Sequence, residues 1–216
     1  MTQTPVHHDD RPDPPVDDPG FGGQLLRWRH HLHRHPETGF NEVRTADYVA
    51  SVLALLGLGV QRGIGGTGLV ASLQVGDGTG VIGLRADMDA LALAEDAPGR
   101  AHASLSPGCM HACGHDGHMA MLLGAAQLLS RQRDFSGTVR FIFQPAEEHG
   151  RGAAAMMADG LFERFPVDEI YGAHNLPGLA AGHIATRAGG IMASEDNFTI
   201  RIHGRGGHAA RPHMGV

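Results

Sequence analysis

Lysine is absent from this 216-residue chain. All 17 basic residues are arginine, set against 23 acidic residues, for a formal net charge of −6. A mildly acidic chain without a basic patch argues against nucleic-acid binding. The exclusive use of arginine reads as the coding bias of a GC-rich genome rather than as chemistry. Cysteine is scarce as well. Two residues, Cys109 and Cys113, make no disulfide framework, and a bridge between positions so close would close a very small loop. Aromatic residues are only 5 % of the chain. No run of about 18 apolar residues occurs, so no helical membrane span is expected. The opening segment MTQTPVHHDDRPDPPVDDPG lacks the apolar stretch of a secretory signal. Rich in Pro, Asp and His, residues 1–20 are expected to form a disordered tail, and the cytoplasm is the expected compartment.

The chain is instead rich in glycine (32), in histidine (16) and in hydrophobic residues (42 %), enough for one domain of ordinary size with a real core. LLRWRHHLHRHPE places Leu25, Trp28 and Leu32 on one helical stripe that stops at Pro36. Its histidines, His30, His31, His33 and His35, read as solvated or packing residues. A second helix is expected from about Glu42 to Leu56, capped by Gly57. GLVASLQV (68–75) and VIGLRA (81–86) read as strands joined by the turn VGDGTG. A helix follows from about Gly117 to Gln132, then the strand TVRFIF (138–143), the helix GAAAMMADGLF ending near Gly160, and the strand VDEIYGAH (167–174). GHIATRAG and DNFTIRIHG look like further strands. Alternating strands and helices imply a layered α/β fold. GIGGTG (63–68) matches the spacing of a dinucleotide-binding fingerprint, but a helix precedes it and a strand follows, so it reads as a turn.

The unusual polar residues fall just past the apolar strands. Asp87 and Asp89 follow VIGLRA, Glu147 and Glu148 follow TVRFIFQPA, and His174 follows VDEIYGA. In open α/β sheets ligands bind outside the carboxyl ends of the strands. GCMHACGHDGHMAM (108–121) adds Cys113, His115 and His118 at the start of a helix, where the helix dipole favours a thiolate. Thiolate, imidazole and carboxylate together suit zinc, manganese or cobalt. The spare carboxylates favour a catalytic site with open positions over a closed structural one, and the donor count allows two ions bridged by one ligand. Of the adjacent glutamates, one can hold metal while the other takes a proton from water. His111, His149 and His203 read as structural.

LRADMDAL, MHACGHDGH, PAEE, GAHNLPGL and GRGGHAARPH follow one another in the order and spacing of a known family. From about Leu25 to its last residue the chain resembles the two-metal amidohydrolases related to hippurate hydrolase, a family that includes bacterial aminoacylases and plant hydrolases of indole-acetyl amino acid conjugates. The resemblance implies a layered catalytic domain with a central mixed sheet and flanking helices (21–186), followed by the start of an inserted α/β dimerisation or lid domain (187–216). It implies Cys113, His115, Glu148 and His174 as metal ligands, with Cys113 able to bridge two ions. It implies Glu147 as general base and Asp87 as the carboxylate that orients a ligand. His208 is implied to stabilise the oxyanion in the partner's site of a homodimer. The implied substrate is a small N-acyl amino acid, cleaved at its amide bond. Relatives of this kind run to roughly twice this length and supply one more metal-binding histidine near their C-terminus. The sequence as given is therefore expected to be truncated, with incomplete metal coordination, weak or no activity and an unclosed sheet edge. A catalytically incompetent metal-binding fragment or assembly module is the alternative. A zinc deaminase would need H-x-E followed by P-C-x-x-C, and a thioredoxin-like role would need C-x-x-C; neither motif is present.

Overall fold

A computed structural model describes residues 20–194, 196 and 198–215. The tail expected over 1–20 lies outside the described residues except for Gly20. By its internal contacts the chain divides into two units, one ending at Asn175 and the other beginning at Leu176.

The first unit is built on a five-stranded sheet. Its strands are β1 (Gly59–Ile64), β2 (Gly68–Val75), β3 (Val81–Asp87), β4 (Gly137–Gln144) and β5 (Glu169–Gly172), in the order β1-β2-β4-β3-β5. β2 runs antiparallel to β1 and β4, whereas β3 runs parallel to both β4 and β5. The expected mixed sheet is thus present, with β1 added. GIGGTG is the turn of the β1–β2 hairpin. Gly63, Gly65 and Gly66 there have positive φ, the region that glycine enters without steric cost.

Alternation along the strands sorts side chains to two faces. Leu69, Ala71 and Leu73 of β2 join Val139, Phe141 and Phe143 of β4 in the larger core. Val70 and Ile142 point the other way, into a smaller cluster with Ile64, Met156, Leu161 and Phe165. The larger core is covered by α1 (Phe21–Arg34), α2 (Val43–Leu55) and α3 (His115–Gln132). Trp28 and Leu32 of α1, Val49, Val52 and Leu53 of α2, and Met119, Leu122, Leu123 and Ala126 of α3 recur at helical spacing and are buried there. α1 meets α3 at Gly124, where an added Cβ would lie 2.6 Å from Leu25 Cδ2. The helix expected over GAAAMMADGLF is two short ones, α4 (Gly152–Ala158) and α5 (Leu161–Arg164), because Gly160 between them takes φ 78°.

The second unit has one 3-10 turn, Pro212–Met214, as its regular structure among the described residues. The strands expected at 182–189 and 196–204 are not formed among the described residues, outside which Asn197 lies. Phe198, Ile200 and Ile202 keep the alternation of a strand, yet all three are exposed. A strand is stabilised by the ladder it shares with a neighbour, and no such pairing is made by the described residues of this segment.

His33 departs from its reading as a solvated or packing residue. It is 5 % exposed, with Nδ1 2.9 Å from Asp116 Oδ2 and Nε2 3.1 Å from Glu95 Oε1. Both neighbours are acceptors when ionised, so both ring nitrogens donate and the imidazole is a cation. The hydrogen bond to Asp116 raises its pKa above the ordinary 6.5 against the opposing effect of burial, and Glu95 adds to the rise. Burial would lift Asp116, but His33, with the charges of His111 and Arg29, holds it down at about 2. His30 and His31 do pack, stacked on His102 and Tyr48.

Two outcomes follow. Phe141→Ala, at a fully buried position, should cost about 3–5 kcal/mol in urea unfolding; a cost below about 1 kcal/mol would contradict the placement of β4 at the centre. His33→Gln should cost about 1–3 kcal/mol where the pair is charged. Because the folded pKa of His33 is raised, its contribution is complete below 6.5 and fades as pH rises through the folded value. Asp116 has the opposite sign: its contribution is present above the ordinary 3.8 and is lost as pH falls towards about 2. The stability gap between wild type and His33→Gln should therefore be widest between these limits and should narrow on the alkaline side.

Candidate metal centre

Three parallel strands end at one edge of the sheet. β3 delivers Asp87 and, just beyond, Asp89; β4 leads through Gln144-Pro145-Ala146 to Glu147 and Glu148; β5 leads to His174 and Asn175. α3 starts at the same edge with Gly114 as its N-cap at φ 95°. A side chain at 114 is excluded by space as well as by conformation, since its Cβ would lie 2.5 Å from Asn175 Oδ1. The first turn of α3 spreads its polar residues in two directions. His115 and His118, three apart and hence on one face, turn to the strand ends, while Asp116 turns to α1, where it meets Arg29 and His33.

His115 is the hub. Its ring is fully buried, and Nδ1 donates to the carbonyl oxygen of Asp89 at 2.7 Å. A carbonyl can only accept, so Nδ1 carries the hydrogen and Nε2 points away from it. Nε2 lies 3.8 Å from both Glu147 Oε2 and Glu148 Oε1, and 3.6 Å from Asp87 Oδ2. Buried, it has no hydrogen-bond partner, and neither do Glu148 Oε1 and Asp89 Oδ1. Cys113 Sγ lies 3.4 Å from His174 Nε2, and the thiol also meets the Glu148 carboxylate. Donor atoms of Cys113, His115 and His174 fall within 4.8 Å of one another, as do those of His115, Glu147 and Glu148, and those of Asp87, His115 and His118. Buried polar atoms without partners are costly. With bonds of about 2 Å to each donor, two ligands of one ion sit no more than about 4 Å apart, so the orphaned His115 Nε2 and Glu148 Oε1, 3.8 Å apart, fit a divalent cation.

The charges agree. Burial drives the Cys113 thiol up, and Glu148, Glu147 and Asp87 add to it, to about 11. The preference for thiolate expected at a helix N-terminus is thus outweighed by burial, with the carboxylates nearby adding to it. Glu148 is raised by burial and by the charges of Glu147 and Asp89, against the pull of His115. Asp87 behaves otherwise. Burial would raise it, but the hydrogen bond from His118 and the charges of Arg85 and His115 bring it to about 2. Asp89 is also lowered: burial opposes, while His115 and the backbone N–H groups of Glu148 and Glu147 favour its ionised form. An ensemble of acids facing one buried imidazole attracts a cation.

Cys113, His115, Glu147, Glu148 and His174 are thus brought together. Asp87 lies beside them, but its shortest histidine contact is with His118, whose Nδ1 is 2.6 Å from Asp87 Oδ1. The group that orients His115 is the backbone of Asp89. His208 belongs to the second unit, where its Nδ1 accepts from the N–H of Ala210 at 3.2 Å. Two contributors were not singled out by sequence reasoning. Asn175 meets His118 Nε2 through its backbone N–H and its side chain, tying the exit of β5 to α3. Asp89 was noted as a strand-exit acid but given no task. Its place two residues beyond Asp87 carried the signal, because alternate residues share a direction.

The sequence profile of Peptidase family M20/M25/M40 matches residues 83–213. Hippurate hydrolase of Campylobacter jejuni is 45 % identical over 190 residues, which are 88 % of this chain and 49 % of that protein. N-acyl-L-amino acid amidohydrolase of Geobacillus stearothermophilus is 44 % identical over 196 residues, covering 89 % of this chain and 52 % of that protein. The crystal structure of the Bacillus subtilis YXEP protein, described as a dinuclear metal binding peptidase, matches with a TM-score of 0.71 at 39 % identity, over 75 % of this chain and 45 % of that one. The chain spans about half the length of the curated relatives it matches. With the profile match running through β3, the His115 turn, β4 and β5, the chain belongs to Peptidase family M20/M25/M40.

Proposed function

We propose that the protein hydrolyses the amide bond of small N-acyl amino acids with the help of two divalent ions, zinc, manganese or cobalt. The observation that carries this reading is the convergence on His115 Nε2, a buried nitrogen without a partner among carboxylates, a thiol and a second imidazole. The printed activities of the similar proteins, a hippurate hydrolase and an N-acyl-L-amino acid amidohydrolase, support the substrate class. Cys113, His115, Glu148 and His174 would hold the ions. Ions bound there would polarise the scissile carbonyl and lower the pKa of a water molecule.

The two glutamates divide the remaining work by exposure. The Glu148 side chain is 19 % exposed and has an orphaned oxygen, which suits a ligand. The Glu147 side chain is 37 % exposed, so its Oε2 can reach both solvent and substrate. Glu147 takes the proton of the attacking water and passes it to the departing amide nitrogen. Asp89, through its carbonyl, keeps His115 Nδ1 protonated and its Nε2 turned toward the carboxylates of Glu147 and Glu148. Asp87 fixes His118, and His118 in turn fixes Asn175 next to His174. His208 is assigned the oxyanion donor that reaches the partner's site in a homodimer, residues 187–216 forming the start of the dimerisation domain. The assignment rests on GRGGHAARPH alone.

Separate variants test the division of labour. With zinc loaded, Glu147→Gln should lower kcat by about 10²–10⁴-fold while zinc per chain, read by atomic absorption, is unchanged. Turnover at the wild-type rate with zinc bound would remove Glu147 as the base. Glu148→Ala should instead lose zinc, so that activity returns only at high added metal. Equal zinc content in Glu148→Ala and wild type would remove Glu148 as a ligand.

A further inference from the structure

Among the described residues, three other than glycine take positive φ: Phe40 at 62°, Arg133 at 52° and Ala146 at 47°. Arg133 is the C-cap of α3. Phe40 and Ala146 belong to two loops that face each other, the α1–α2 connection and the segment that carries Glu147 and Glu148. The Phe40 ring stacks on His149 with centroids 6.1 Å apart. At Gly39 a Cβ would lie 2.0 Å from His149 Cε1 and 3.0 Å from Ala146 Cα. The loops are therefore in contact with no room for a side chain between them.

Glu42 joins them. It is fully buried. Its Oε1 accepts the N–H of Ala146 at 2.8 Å, and its Oε2 accepts the hydroxyl of Thr67, in the β1–β2 turn, at 2.6 Å. Glu42 stands at the N-cap of α2, where a short side-chain oxygen commonly bonds the first free N–H groups of its own helix. It makes no such bond. Glu37 does so instead, accepting from Thr45 N at 2.8 Å. The Glu42 side chain is thus spent across the fold, on the one alanine whose backbone is held in a strained region. The next two residues are the glutamates of the centre, and the chain direction at Ala146 sets where their carboxylates go. The same α1–α2 connection also steadies the neighbouring acids: Glu37 O accepts from Ala90 N at 2.8 Å, next to Asp89, and Asp89 Oδ2 accepts from Glu148 N at 3.0 Å.

We infer that Glu42 is a positioning residue for Glu147 and Glu148: its buried carboxylate locks Ala146 in the left-handed conformation that turns both glutamates toward His115. The inference rests on the proposed function only in what those glutamates do once positioned.

The test uses the full chain, zinc alone as ligand, and two readouts: the zinc dissociation constant by calorimetry, and hydrogen exchange at the Ala146 amide. Glu42→Ala should weaken zinc binding by about tenfold, the usual scale for losing a residue that supports a ligand, and should speed exchange at Ala146. Glu42→Gln keeps an acceptor for the Ala146 N–H and a donor for Thr67, so it should retain both properties to within roughly threefold. Adding Ala146→Gly to Glu42→Ala should recover part of the lost zinc affinity, because glycine holds positive φ without help. A role confined to general stability would give no such recovery. If Glu42→Ala does not fold, Thr67→Val, which strips the other bond of the carboxylate, should still speed exchange at Ala146. Zinc affinity and Ala146 protection equal to wild type in Glu42→Ala, or unchanged protection in Thr67→Val where the first variant fails, would overturn the inference. Absence of zinc binding by the wild type would instead defeat the proposed function, while the exchange comparison would still decide the role of Glu42.

Discussion

The hydrogen bond from His115 Nδ1 to the Asp89 carbonyl is the constraint on which the rest of the centre depends. It fixes a tautomer, and with it the orientation of the one imidazole common to every candidate ligand group among the described residues. A side-chain acceptor in this place could rotate or take up a proton. A backbone carbonyl at the end of a strand can do neither, so the ring inherits the rigidity of the sheet. The acids around Nε2 are then arranged against a fixed point, and the burial and mutual repulsion that raise Glu148 and Cys113 would be relieved by a cation among them.

The sheet makes that arrangement possible. β3, β4 and β5 are parallel neighbours, so their exits lie side by side and short loops suffice to bring acids and imidazole together. Parallel strands covered on both faces need apolar side chains on both sides. β4 meets that need with Val139, Phe141 and Phe143 on one face and Ile142 on the other. The chemistry is confined to the strand ends because the strand bodies are committed to packing.

This division explains what the sequence made legible. The apolar runs of β2, β3 and β4 and the stripes of α1, α2 and α3 were readable because burial imposes a period. Asp87, Glu147, Glu148 and His174 were readable as exceptions placed at the ends of such runs. β1 was not: GVQRGI is largely exposed and shows no core-facing repeat, and it is defined by its partner β2. The ion pairs of His33 were hidden because Glu95 and Asp116 are brought to it by long-range folding, 62 and 83 residues away along the chain. Asn175 was hidden for a similar reason, its contact with His118 spanning 57 residues. The alternation at 198–202 was real, but periodicity states only which residues could share a face and cannot supply the neighbouring strand.

The order of the strands also sets a timetable for folding. β2 and β3 follow each other in the chain yet are not neighbours in the sheet, because β4 lies between them. β4 begins at Gly137, fifty residues after β3 ends at Asp87. Until that distant strand inserts, the β1–β2 hairpin and β3 have no shared ladder, and the loop closure needed to bring it in is slow compared with local helix formation. The acids beyond β3 and those beyond β4 consequently meet only when the central pairing is complete. A newly made chain passes through its early stages with these donor groups scattered, and the candidate cation site is assembled only with the central pairing.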